Sequence, residues 1–231
     1  MLGPVRQRIA NSKFTILLLS LIAVQLLPVI RGEVNYQTAG LLWGLVLLAA
    51  VHAATGDRRV TIAFGIMAVF AFSGRMAAIF APPGRYENPA EVGNVAFGAI
   101  FLGMTVYMVA KALARAPAID GDTVMGAICV YLLIGYMWAN FYALTEFAAP
   151  GSFNFPEYAR PDAGTIIPEY NWGYYSFVTL TTLGYGDITP ISYRARTLSW
   201  LEAVVGVTYM ATTIAFLVSQ VIVARQRKDS A

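Results

Sequence analysis

Long apolar runs constrain this chain more than any other feature. Mostly apolar windows fall at residues 14–30, 39–55, 61–80, 92–111, 123–147 and 197–223. Each is long enough to cross a hydrocarbon layer of roughly 30 Å as an α-helix. With 58% of residues hydrophobic and 13% charged, the chain is too apolar for an ordinary water-soluble domain. In lipid a backbone must satisfy its own hydrogen bonds, so the expectation is an all-α membrane protein with six transmembrane helices per subunit. Arg6, Arg8 and Lys13 precede the first run as in a signal peptide. That run is long, however, and no small-x-small cleavage site follows it, so a retained helix is expected.

Lysine and arginine resist translocation and collect on the cytoplasmic side. An inside N-terminus places Arg6, Arg8, Lys13, Arg58, Arg59, Lys111, Arg115, Arg225, Arg227 and Lys228 there, leaving Arg31, Arg85, Arg160, Arg194 and Arg196 outside. Both termini are therefore expected to be cytoplasmic, in a multi-pass protein whose surroundings are membrane lipid. The net charge of +3 then reflects topology, and no aromatic-interleaved basic patch points to nucleic acid. Cys129 is the single cysteine and closes no intrachain disulfide.

The segment Ala116-Pro117-Ala118-Ile119-Asp120-Gly121-Asp122 carries turn formers and helix-capping acids. It divides a four-helix bundle over residues 1–115 from a region over 123–224, with 116–122 as a short linker and 225–231 as a short cytoplasmic tail. The second region has an outer helix at 123–147 and an inner helix at 197–223. Between them lies a polar stretch, 148–171, and then an aromatic stretch that predicts a helix over 172–181. A helix of about ten residues rises only about 15 Å and cannot cross a bilayer, so it must enter and return. Re-entrant backbone is tolerated only where protein buries it or water and ions reach it. A half-helix followed by Gly184-Tyr185-Gly186 therefore suggests a lined pathway.

Thr179-Leu180-Thr181-Thr182-Leu183-Gly184-Tyr185-Gly186-Asp187 resembles the signature of the potassium-channel family, and the match continues through Ile188-Thr189-Pro190. The resemblance covers residues 123–223 and implies a prokaryotic-type channel, expected in a prokaryotic inner membrane, with K+ held at Thr182, Leu183, Gly184, Tyr185 and Gly186. A permeating ion must exchange hydration oxygens for protein oxygens, and rings of backbone carbonyls supply them without fixed charge. Pointing successive carbonyls one way needs backbone conformations that glycine reaches without steric cost. The Thr182 hydroxyl adds an oxygen at the inner mouth, and Tyr185 is expected to brace the strand against pore-helix aromatics. One chain gives one oxygen to each ring, so a homotetramer is expected, with K+ as permeant ion and no other cofactor. The alternatives are a weakly selective monovalent cation channel and a non-conducting regulatory subunit. No His-Glu-x-x-His, paired intramembrane aspartates or nucleophile elbow appears, so no enzyme and no catalytic residue is expected.

The resemblance also assigns supporting roles. Tyr174 and Tyr175 stand where related channels often have a tryptophan pair, with Asp187 as a hydrogen-bond acceptor for them. Leu183 replaces the commoner valine, which leaves the strength of selectivity open. Val178 stands where some two-helix channels place a carboxylate behind the filter, so Glu146 and Glu202 are the nearest substitutes. Related six-helix channels use a glutamate at the place of Glu146 to tie the outer helix to the inner helix, and the alternative for both Glu146 and Glu202 is an interfacial residue that meets water. Glu202 is an intramembrane acid whose partner the sequence does not identify. Gly206 is either a gating hinge or a point of close packing, and Val207, Met210, Ile214 and Val218 form either a cavity-lining stripe or a packing face.

The first four helices resemble a voltage-sensor domain without its arginines. The fourth window carries Gly93, Gly98 and Gly103 but no arginine, so weak or no intrinsic voltage dependence is expected. The short linker implies that each bundle packs on its own subunit's pore. Arg75 is expected to snorkel, and His52 is expected to be a boundary residue.

Overall fold

The computed structural model describes residues 12–31, 89–116, 120–157 and 169–229, with isolated helical residues between Val46 and Ser73. Among these residues the elements are α1 (Lys13–Arg31), α2 (Pro89–Ala114), α3 (Gly121–Ala148), β1 (Phe153–Asn154), α4 (Glu169–Leu180), β2 (Thr189–Pro190) and α5 (Tyr193–Asp229). Three stretches are long and apolar enough to cross a membrane, Val92–Ala114, Gly121–Ala148 and Tyr193–Ser219, with a shorter apolar helix at Lys13–Leu26. The windows at 39–55 and 61–80 fall largely outside the described residues, as do Arg75 and His52.

Helix ends follow their caps. Asp120 precedes α3 and accepts from the Thr123 amide at 2.8 Å and the Thr123 hydroxyl at 2.7 Å, the usual service of an aspartate at that position. Ser192 does the same for α5, its Oγ accepting from the Ala195 amide at 3.2 Å. That cap explains why α5 begins at Tyr193 rather than at the expected 197. At its other end α5 continues through Arg225, Gln226, Arg227 and Lys228, all good helix formers, so the expected tail is helical as far as Asp229.

The chain forms two compact units: Met1–Ala68 with Thr105–Leu132 and Thr208–Ala231, and Val69–Met104 with Leu133–Val207. In the first unit, α1 is capped from another helix. The Asp122 carboxylate accepts from the Thr15 amide at 2.8 Å, the Phe14 amide at 3.3 Å and the Thr15 hydroxyl at 2.8 Å. Amides in a helix's first turn lack intrahelical partners, so this contact joins the starts of α1 and α3. A β-carbon on Gly126 would stand 2.7 Å from Leu113 of α2 and 2.9 Å from Phe14 of α1, so three helices meet at this glycine. Tyr209 of α5 donates to the Ala127 carbonyl at 2.7 Å.

In the second unit α2 again lies on α3 of the same chain. A β-carbon on Gly98 would stand 3.2 Å from Asn140 Oδ1, and one on Gly103 would stand 3.5 Å from Met137 Sδ. The centre of this unit is aromatic. Phe153 packs edge-on against Tyr142, Trp172 and Tyr175 at 5.5, 5.1 and 5.3 Å between centroids, geometry that suits the quadrupoles of the rings. Residues from the outer helix, the segment after it and α4 thus share one core.

Candidate functional site

Helix α4 ends at Leu180, and its last carbonyls are used at once. Val178 O accepts from Leu183 N at 2.9 Å and Gly184 N at 3.2 Å, while Thr179 O accepts from Thr182 N at 2.9 Å. The amides of Thr182, Leu183 and Gly184 are thereby turned toward α4. Backbone φ is positive at Thr182 (59°), Gly184 (58°) and Gly186 (79°). Every second residue of the segment is therefore left-handed, an alternation of the kind that a column of like-facing carbonyls requires. Among the described residues no donor reaches a carbonyl oxygen of residues 182–186. All five residues are exposed in the single chain.

The glycines meet the conformational need expected of them. Thr182 is the surprise, because a β-branched residue at φ 59° is strained. Its amide bond to Thr179 O helps to hold it there. The expectation for Thr182 covers its carbonyl and its hydroxyl but not this left-handed backbone.

Two glycines let α4 sit deep between its neighbours. A β-carbon on Gly135 of α3 would stand 2.6 Å from the Phe177 ring, and one on Gly206 of α5 would stand 2.2 Å from the Leu180 carbonyl oxygen. Helix α5 runs through Gly206 without interruption. Of the two roles open to Gly206, close packing is the one the geometry displays. Gly135 was not singled out from sequence, where an isolated glycine in an apolar run carries no signal of what approaches it.

Glu202 of α5 is fully buried. Its carboxyl receives the Tyr142 hydroxyl of α3 and lies 2.5 Å from Ser176 Oγ of α4. Ser176 Oγ also lies 2.7 Å from the Gly135 carbonyl. The partner missing from the sequence reading is thus a pair, Tyr142 and Ser176, and the carboxyl joins three helices behind the segment. Neither partner has a local motif, since each reaches Glu202 only through helix packing.

The two adjacent tyrosines divide their work. Tyr174 donates to Asp187 at 2.6 Å, and Tyr175 shares a 2.7 Å hydrogen bond with Ser199 of α5. Tyr185 is 66% exposed and pairs with no ring among the described residues, so the brace expected against pore-helix aromatics is not formed within one chain.

Of the readings open for Glu146, a tie to α5 is not formed among the described residues. Its carboxylate accepts from Gly151 N at 2.7 Å and Phe153 N at 3.2 Å. The reason is local: α3 ends at Ala148, and the chain reverses through Gly151 at φ 84°, which carries those amides back over the carboxylate. The link toward α5 is made one residue on, where Ser152 O accepts from Ile191 N at 2.7 Å and Ser192 N at 3.2 Å. Strand pairing of Phe153 with Pro190 and Asn154 with Thr189 continues it. The stripe Val207, Met210, Ile214 and Val218 is an apolar face about half exposed in the single chain.

A family model described as an ion channel matches residues 170–223. No curated protein and no solved structure matches the chain. The match takes in α4, the 182–186 segment and most of α5, so this is a membrane protein with an ion-channel domain over those residues.

Proposed function

We propose that the chain is one subunit of a homotetrameric potassium-selective channel, passing K+ passively through rings of backbone carbonyls from Thr182, Leu183, Gly184, Tyr185 and Gly186. The observation that carries this reading is the alternation of left-handed residues at 182, 184 and 186, beside carbonyls that no donor reaches among the described residues. Moving a bare ion out of water costs on the order of tens of kcal/mol, which one carbonyl per level cannot offset. Fourfold repetition multiplies each level into a ring. The exposure of residues 182–186 and of the apolar face of α5 in the single chain supports such repetition, with neighbouring copies covering part of that face and braces for Tyr185 coming from the next subunit.

The contact between the starts of α1 and α3 through Asp122 supports an even number of crossings between them. Six in total is consistent with that, with both termini on the cytoplasmic side of a cell membrane. The missing arginine ladder supports weak or no intrinsic voltage gating.

Planar-bilayer recording of purified protein tests the reading, with K+ and Na+ exchanged across the membrane and Gly184→Ala as the negative control. A reversal potential that follows the K+ gradient is expected. A reversal indifferent to the exchange would replace the reading with a weakly selective cation channel, and silence in every salt would replace it with a non-conducting subunit.

A further inference from the structure

Ser176 has one hydroxyl proton, yet its Oγ faces two oxygens, the Gly135 carbonyl at 2.7 Å and Glu202 Oε1 at 2.5 Å. A backbone carbonyl has no proton to offer, so Ser176 donates to it. The second contact is then a full hydrogen bond only if the carboxyl supplies the proton. The other oxygen, Oε2, already accepts from Tyr142. Each hydrogen in the cluster then has one acceptor, in the order Tyr142 to Glu202 to Ser176 to Gly135.

The surroundings favour the same arrangement. Glu202 and Ser176 are both 0% exposed. Helix α3 presents the Tyr142 hydroxyl and the Gly135 carbonyl to the carboxyl. Helix α4 presents Ser176 and, further off, Tyr175, whose hydroxyl is engaged with Ser199. Among the described residues no lysine, arginine or histidine acts on it. A carboxylate at this position would be a buried charge without a counter-ion, which is strongly unfavourable.

We propose that Glu202 is held as a neutral carboxylic acid that donates to Ser176, and that it is a positioning residue whose proton locks α4 between α3 and α5. Loss of that proton would set a carboxylate against the Gly135 carbonyl, with one serine hydrogen between them. Helix α4 also carries the Val178 carbonyl that holds the amides of Leu183 and Gly184, so a displaced α4 disorders the carbonyl column. The link to conduction rests on the channel reading; the protonation itself does not.

Infrared spectroscopy of the full chain in lipid vesicles tests the protonation directly. Wild type is expected to show a protonated-carboxyl carbonyl band at neutral pH that is missing in Glu202→Gln and shifted in Ser176→Ala, which removes the acceptor without altering the acid. Absence of the band at neutral pH, or its persistence in Glu202→Gln, overturns the proposal. Potassium flux into the same vesicles tests the positioning role. Wild-type flux should fall with the band, by about tenfold per pH unit beyond its midpoint, as loss of one proton requires. In Glu202→Gln, whose amide donates and accepts in the same places, that alkaline fall should vanish; an unchanged fall overturns the positioning role. A chain that shows the band but passes no potassium at any pH overturns the channel reading instead.

Discussion

The carbonyl oxygen of Leu180 lies where a side chain on Gly206 would have to begin, 2.2 Å from the position of its β-carbon. The obstacle is backbone at the end of α4 and cannot rotate away. Gly206→Ala should therefore destabilise the fold by about 1–3 kcal/mol or more, as overpacking does. Thermal unfolding of purified protein in detergent checks this. If Gly206 served only as a hinge, alanine would leave the unfolding temperature unchanged or raised and would alter open probability alone.

Gly184 and Gly186 pose a different constraint, since no atom outside their immediate neighbours lies within 4 Å of an added β-carbon in the single chain. The cost of alanine there is conformational, roughly 1–2 kcal/mol per left-handed residue. Gly186→Ala is expected to keep the subunit's helices and membrane insertion, as read by circular dichroism and membrane fractionation, while abolishing K+ conduction in bilayers. Equal K+ currents in variant and wild type would remove the conformational argument for the filter.

At Glu146 two amides depend on one carboxylate. Glu146→Ala strands the Gly151 and Phe153 N–H groups; Gly151 is exposed and can turn to water, whereas the buried Phe153 donor left unsatisfied costs about 1–3 kcal/mol. Glu146→Gln keeps one acceptor oxygen and should lose less. Hydrogen exchange at Gly151 and Phe153 is the measurement: alanine should accelerate both amides, and glutamine should accelerate them by a smaller factor. Unaltered exchange in Glu146→Ala would show that the turn holds itself.

Asp120 lies outside the membrane-spanning segments, and its hydrogen bonds to the Thr123 hydroxyl and amide hold its carboxyl below the ordinary carboxylate range. A group whose folded value is depressed stabilises the fold above its unfolded value, near pH 4, and loses that contribution as pH falls through the lower folded value. Acidification across this range should loosen the start of α3 in wild type more than in Asp120→Asn, whose cap does not titrate. The scale is about 1 kcal/mol, typical of an exposed cap. Amide exchange of Thr123 as a function of pH checks the difference, and parallel profiles for the two proteins would count against it.

Much of the candidate site was legible before the fold. Gly184 and Gly186 stood out because left-handed backbone favours glycine, and the short helix before them stood out because ten residues cannot span a bilayer. The tie open to Glu146 is not formed for a local reason: the reversal at Gly151 brings amides to the carboxylate before any other helix can. The left-handed backbone at Thr182 was not legible, because threonine rarely adopts positive φ and its type gives no hint of that conformation.

The apolar runs and the Gly184-Tyr185-Gly186 signature are properties of neighbouring residues, so the chain alone determined that helices enter a membrane and that a carbonyl-bearing segment follows one of them. Partnership is another matter. Glu202 meets Tyr142 and Ser176, Asp122 meets Thr15, and Gly135 and Gly206 admit Phe177 and Leu180, across 26 to 107 residues of sequence. Only the tertiary structure decided these pairs. A hydrogen bond between helices depends on how those helices are rotated and how closely they approach, and packing at small residues sets both.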